Sequence, residues 1–543
     1  MVWILRNDDF PALHWVFSTQ NCPRGFDILW LRILLRLRTF SLLIVGSHVL
    51  FIAGTIQKGG AMRLLAALST FDQVSGRART ALGWKVSVCV AVCIVAIAIG
   101  SCASSPSGPA PGVHDRGVRG GPAGGGRPLP GLTRDETAFF QDGLARFLEV
   151  DGVKDGLGPR FNSNSCASCH EQPGVGGTSP AKNPQIAVAA LEGARNIVPW
   201  FIVPDGPVRE ARFKLNPDKT PDGGVHAVFT ISGRSDAPGC NATQPDFLPA
   251  GDPHTGQGGN PNIIFRIPTP VFGAGLIEAI PDEAILSNMR ANQDEKKQWG
   301  IAGHPNATIS GTANLSGNDG TVTRFGWKAQ NKSLLMFAGE AYNVEMGVTN
   351  QLFPQERGDT AGCLFNATPE DHVNFTATSN AAVLSDIEAF AVFMRLLAPP
   401  TPAPDSPSTV RGRALFKSTG CTGCHTPSLT TGPMISSGSS TTPSAALSGQ
   451  IVNLYSDLLV HNMGEVLSDG IAQGGAGPDE FRTAPLWGVG QRIFFLHDGR
   501  TRDLVEAIEA HQSRGSEANR VIERFNKLNA QEQQAIIDFL RSL

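Results

Sequence analysis

Two copies of one short pattern constrain this chain more than any other feature. They are Cys166-Ala167-Ser168-Cys169-His170 and Cys421-Thr422-Gly423-Cys424-His425. A structural zinc site would need four such ligands within reach of one another, and these pairs lie far apart in sequence. A Cys-x-x-Cys-His run is instead the signature of covalent haem attachment. The two thiols add to the haem vinyl groups, and the adjacent imidazole binds the iron. The short spacing lets both thioether bonds form on one turn of backbone while the next residue points under the ring. Two such runs imply two haems c, held by Cys166, Cys169, Cys421 and Cys424, with His170 and His425 as iron ligands.

Both motifs have a similar setting. A helical stretch precedes each, followed by a polar turn: Asn164-Ser165 before the first and Thr419-Gly420 before the second. The fold class read from this is mainly α, with two cytochrome c-like domains, long loops and minor β structure in the N-terminal domain. Composition agrees. Only 17% of the 543 residues are charged, while Gly (61) and Pro (38) are abundant, which suits ordered loops and excludes a coiled coil. A net charge of −3 gives no basic field for nucleic acid.

Residues 86–99 (VSVCVAVCIVAIAI) are apolar and follow Arg77, Arg79 and Lys85, as in a signal peptide. Ile99-Gly100-Ser101-Cys102 then resembles a bacterial lipoprotein processing site, which would lipidate Cys102 and anchor the protein at the outer membrane. A signal so far into the chain implies that residues 1–102 combine a mis-extended start with the signal, translation beginning near Met62 or beyond. The alternative is an N-terminal membrane region. Residues 103–130 are rich in Gly, Pro and Ser and read as a flexible tether. Two haem domains follow, 131–400 and 401–543. Thr133 and Glu136 have capping-box spacing at the start of the first, and Asn529 to Gln533 reads as the start of a closing helix in the second. Cys240 and Cys363 either pair as a disulfide, which an exported protein permits, or remain two buried thiols.

Six further stretches carry a resemblance. They are FRIPTPVFGAGLIEAIPD (265–282), RFGWKAQ (324–330), EMGVTN (345–350), LYSDLLVHNMG (454–464), FRTAPLWGVG (481–490) and FLHDGRTRDLVEAIEAH (495–511). With the haem motifs they make the chain resemble the di-haem oxidoreductases of the peroxidase type, sometimes called thiol oxidoreductases. These are relatives of bacterial di-haem cytochrome c peroxidase and of the enzyme that matures methylamine dehydrogenase.

The resemblance implies a periplasmic enzyme. It would reduce hydrogen peroxide at the His170 haem with electrons from a small donor such as a cytochrome c or cupredoxin. Glu345, in Glu345-Met346-Gly347, would move protons over that haem. Trp327 would carry electrons between the haems, and His497 would pack near the propionates of the second haem. His511 stands where relatives place the distal ligand of the electron-transfer haem, giving bis-His coordination with His425. His461 and Met463 are the competing ligands there, and Met346 is a competing ligand for the first haem. Arg266, Arg324 and Arg482 would pair with propionates.

Some family features are missing. No His occurs between His170 and His226, so the first iron lacks the relatives' displaceable ligand. The relatives' distal Gln would fall at Leu335 or Met336. Arg492 and Phe494 replace residues of an interdomain calcium site, which leaves calcium an open expectation. Two other functions compete: a non-enzymatic di-haem electron carrier, and a haem-dependent oxidase of an organic or protein substrate.

Overall fold

The computed structural model describes residues 39–45, 48–56, 62–70, 112–247, 261–308, 321–437 and 442–543. The signal-like run 86–99 and Cys102 lie outside them. Met1–Ser105 and Pro106–Leu543 are separate compact units. In the first unit, β1 (Thr39–Val45), β2 (His48–Ile56) and β3 (Met62–Thr70) form an antiparallel sheet in the order β1-β2-β3. Among the described residues no helix is long and apolar enough to cross a membrane.

The second unit is mainly helical with short strands. The helices that build the two motif sites are α1 (Arg134–Leu148), α2 (Leu334–Ala341), α3 (Asp386–Leu396), α4 (Pro407–Thr419), α5 (Leu504–Glu509), α6 (Asn519–Phe525) and α7 (Ala530–Ser542). α1 starts where its capping box predicts. The Thr133 hydroxyl accepts from the Glu136 N–H at 3.2 Å, and the Glu136 carboxylate accepts from the Thr133 N–H at 2.9 Å. α7 starts with the same reciprocal bonds between Asn529 and Glu532.

Each motif rests on a crossed helix pair. Phe140, Gly143 and Phe147 form the buried stripe of α1, which packs on α3. A Cβ at Gly143 would lie 2.5 Å from the Ala389 carbonyl oxygen, so the crossing requires glycine. α4 packs on α7, and a Cβ at Gly412 would overlap the Ala535 carbonyl. Phe147 meets the His170 ring at a centroid distance of 6.1 Å, and Phe416 meets His425 at 6.0 Å. The first core includes Phe140, Phe147, Phe390 and Phe393; the second includes Phe416, Phe525, Ile537 and Phe539. Each fully buried Phe contributes roughly 1.5–3 kcal/mol by removing its surface from water.

Of five short strands, β4 (Arg160–Phe161), β5 (Glu210–Phe213), β6 (Val225–His226), β7 (Phe229–Thr230) and β8 (Ile263–Arg266), β5 and β8 contribute residues to the first site. They form an antiparallel sheet in the order β6-β5-β8 and a β4-β7 pair. Cys240 and Cys363 form a disulfide. The stretch read as a tether is tied down from residue 112 onward. The Asp115 carboxylate pairs with the buried Arg541 guanidinium at 2.5 Å, and the Leu129 N–H donates to the Leu396 carbonyl at 2.7 Å. Its Gly and Pro content follows a surface path that paired backbone and side-chain groups hold in place.

Candidate active site

Both motifs open onto large cavities. The first holds about 1160 Å³ of empty space, and its lining includes Cys166, Cys169, His170, Trp327, Glu345 and Met346. The second holds about 1350 Å³, and its lining includes Cys421, Cys424, His425, His497 and His511. Trp327 lines both. A smaller cavity of about 570 Å³ shares Trp327 with each of them and is also lined by Arg482, Trp487 and Arg492. Residues distant in sequence thus line common cavities.

The two motif histidines have matching environments. His170 Nδ1 bonds the Gly177 carbonyl at 3.0 Å, and His425 Nδ1 bonds the Tyr455 carbonyl at 2.9 Å. Anchoring Nδ1 to a carbonyl fixes the tautomer that presents Nε2 as a metal-binding nitrogen. Burial pushes both imidazoles down to about 4, so they are neutral at pH 7. Burial also pushes the Cys169 thiol up to about 11 and the Cys421 thiol to about 12.

Glu345 sits in a single π-helical turn, Tyr342–Met346, that continues α2. The turn ends at Gly347, whose φ of +78° and close approach to the Arg160 carbonyl exclude a side chain. Asn162 fixes the carboxyl by donating from Nδ2 at 2.8 Å, while its own Oδ1 accepts from the Val228 N–H. Burial and the neighbouring Glu210 charge hold Glu345 well above the usual carboxyl range. Met346 packs on the first motif, with its sulfur 3.9 Å from Cys166 Sγ. At the positions expected for the relatives' distal Gln, Met336 is buried in a small apolar cluster with Phe353, and Leu335 packs on the first core. Tyr342, from the same turn, donates to Asp151 at 2.9 Å, and burial raises that carboxyl to about 7.

Trp327 is buried, and its Nε1 donates to the Ile267 carbonyl at 2.9 Å. The Ile267 N–H donates in turn to the His497 carbonyl at 2.8 Å. The His497 ring stacks on Phe481 at 4.3 Å and meets Trp327 edge-on at 6.4 Å. The two cavities are therefore joined by packed aromatic side chains.

His511 lies two residues past the end of α5, and its Nδ1 bonds the Ala507 carbonyl at 2.7 Å. This is the anchoring seen at His170 and His425. His461, its competitor, is committed elsewhere: it bonds Asp457 through Nε2 at 2.9 Å and Glu517 through Nδ1 at 2.7 Å. Burial opposes a charge on this ring, but the Asp457 carboxylate raises the imidazole well above its usual range and favours the protonated form. A doubly bonded imidazolium has no lone pair for a metal. Met463 lines the second cavity.

The expected propionate partners need correction. Arg266 is paired with Asp469 at 2.6 Å, and Arg324 with Asp282. Each neutralises a carboxylate of its own chain. Arg482 lines the second and smaller cavities while donating to the Gly326 carbonyl at 3.0 Å. The orphan is Arg492. Its buried Nε and Nη2 have no partner among the described residues, and burial pushes it down to about 10. A buried unpaired guanidinium calls for an anion. The cavities, anchored imidazoles, buried thiols and orphan cation fit a covalently held tetrapyrrole with acidic side chains. Among the described residues, no group of three or more His, Cys, Asp or Glu side chains could hold a metal ion by itself.

Sequence reasoning missed Asn162, Glu210, Arg212 and Arg492 as site residues. Glu210 and Arg212 alternate with Ala211 and Phe213, a two-residue period that marks one strand face, but only the sheet shows which face lines the cavity.

A family model described as "Di-haem oxidoreductase, putative peroxidase" matches residues 260–543. That span contains Trp327, Glu345, the second motif, His497 and His511, whereas the first motif, Asn162 and Glu210 precede it. No curated protein and no solved structure matches the chain.

Proposed function

The chain belongs to the di-haem oxidoreductase family of redox enzymes, and on that premise we propose that it reduces hydrogen peroxide in the periplasm with electrons from a small redox protein. One observation carries this reading. The first haem-attachment motif and Glu345 line one cavity, and Trp327 lines both that cavity and the second. A haem at each motif would supply electron transfer and, in the first cavity, O–O bond cleavage.

The chain's own residues do the rest. Cys166 and Cys169 would hold one haem and Cys421 and Cys424 the other, with His170 and His425 as iron ligands. His511 closes the second site, which takes electrons from the donor, a cytochrome c or a cupredoxin. Trp327 shortens the path between the sites. Glu345 moves the proton that peroxide loses and the departing oxygen regains. Arg482 and Arg492 would pair with the propionates. A lipid at Cys102 would hold the enzyme at the outer membrane.

The test is an optical titration of purified, fully haem-loaded diferric protein with one equivalent of hydrogen peroxide. The expected result is rapid loss of high-spin bands at the first site, slowed by Glu345→Gln. An unchanged low-spin spectrum, before and after half-reduction, would overturn the peroxidase reading and leave an electron carrier.

A further inference from the structure

The proton chemistry of the first cavity involves a second carboxyl group. Glu210 and Arg212 lie on one face of β5, and both line the cavity with Glu345. The Glu345 and Glu210 carboxyl groups line the same cavity and lie within reach of each other. Ionised carboxylates are acceptors only, so a hydrogen bond between them requires a proton on one of them. The surroundings decide which. Glu210 accepts from Arg212 Nε at 2.6 Å and also feels Arg266 on β8. Glu345 accepts from the neutral amide of Asn162 at 2.8 Å. The other ionisable groups around the pair are Glu340 on α2, Arg357, and the Cys169 thiol of the first motif. The arrangement puts the charge on Glu210 and the proton on Glu345.

The geometry points to Glu210 as the proton store of this site and Glu345 as the relay that reaches it. A resting Glu345 that already carries a proton accepts another only if it passes its own onward. Peroxide gives a proton to one oxygen of Glu345 as the Glu345 hydroxyl proton moves to Glu210. The O–O bond then breaks with its electron pair on the departing oxygen. The stored proton returns through Glu345 to that oxygen, which leaves as water. The two electrons and two further protons that convert the other oxygen to a second water come from the reduced donor and solvent. Glu210 is thus a positioning residue for Glu345 with a proton capacity of its own.

This rests on the peroxidase reading, so the test has one arm that does not. In haem-loaded protein at pH 7, infrared spectroscopy should show a Glu345 carboxyl stretch apart from that of Asp151, which burial also raises and which persists in both Glu variants. The Glu345 band should be lost in Glu345→Gln, and lost in Glu210→Gln, where the freed Arg212 ionises Glu345. No Glu345 band in the native protein, or one indifferent to Glu210→Gln, would overturn the pairing even if peroxide reacts.

The second arm is the pH profile of the peroxide reaction. Burial raises Glu210, but Arg212 and the Glu345 carboxyl outweigh it and keep Glu210 below the usual carboxyl range. With Glu210 as acceptor, the native rate stays flat into mildly acidic pH. In Glu210→Gln, the acid limb moves to higher pH and the rate falls tenfold per pH unit below it. If Glu345 alone were the acceptor, removing the like charge of Glu210 would move the limb to lower pH instead, which would overturn the proposal. Glu210→Asp keeps the carboxylate and should retain the native profile; a raised limb in this variant would count against the store. A native enzyme inert to peroxide would sink the peroxidase reading and leave the infrared arm to judge the pair.

Discussion

Arg492→Met should change stability in opposite directions with and without haem. Burial holds the Arg492 guanidinium down at about 10 against its usual 12.5, and two of its nitrogens have no partner. At about 1.4 kcal/mol per factor of ten, keeping this side chain charged in the fold costs about 3 kcal/mol. In protein made without haem attachment, methionine removes that cost and fills similar space, so the variant should be more stable by about 1–3 kcal/mol. In haem-loaded protein, the same change leaves a buried propionate without its cation. Breaking a buried pair from one side typically costs about 3–5 kcal/mol, so the loaded variant should be less stable. Urea unfolding of both forms at pH 7, followed by tryptophan fluorescence, measures the two shifts. Shifts of the same sign, or a haem-free variant less stable than its parent, would refute the assignment of Arg492 to a haem anion.

Three other outcomes are expected. Replacing both Cys240 and Cys363 with Ala opens a loop with a sequence separation of 123 residues, which should cost about 5 kcal/mol by loop entropy, measured by urea unfolding in oxidising buffer. His511→Ala should convert the second haem from low spin to high spin in the electron paramagnetic resonance spectrum, whereas His461→Gln should keep it low spin, because His461 is bound to Asp457 and Glu517. His497 is pushed down to about 4 by burial, so the fold favours its neutral form. Its contribution is complete above pH 6.5, where the unfolded imidazole is also neutral, and is lost as pH falls from about 6.5 to about 4, by up to roughly 3 kcal/mol. Urea midpoints at pH 7.5 and 4.5 should therefore differ less in His497→Phe than in the native protein.

The local chemistry of this protein is written in short runs of residues. Cys-x-x-Cys-His declares covalent attachment because thioether geometry and proximal ligation need those residues at that spacing. Thr133 with Glu136, and Asn529 with Glu532, declare helix starts because caps are satisfied within one turn. His511 stands out as a candidate through its distance from His497, and Glu345 and Trp327 through their flanking residues. In all these cases the partners are close in sequence, or the motif is specific enough to stand for them.

Where partners come from distant segments, only the fold decides. Arg266 read as a propionate partner and Arg492 did not, until packing put Asp469 against the one and no partner against two nitrogens of the other. His461 stood as a runner-up to His511 for the iron, until folding brought Glu517 from 56 residues away to join its neighbour Asp457. Glu210 carried no motif, and its role depends on a strand that turns it toward Glu345 and on Arg212 beside it. The 112–130 stretch has a linker's composition, and its fixed course comes from Arg541 and Leu396 across the fold. Burial and charge pairing are sums over spatial neighbours, so a linear pattern names the groups that can react, and their protonation and availability are set by what folding brings beside them.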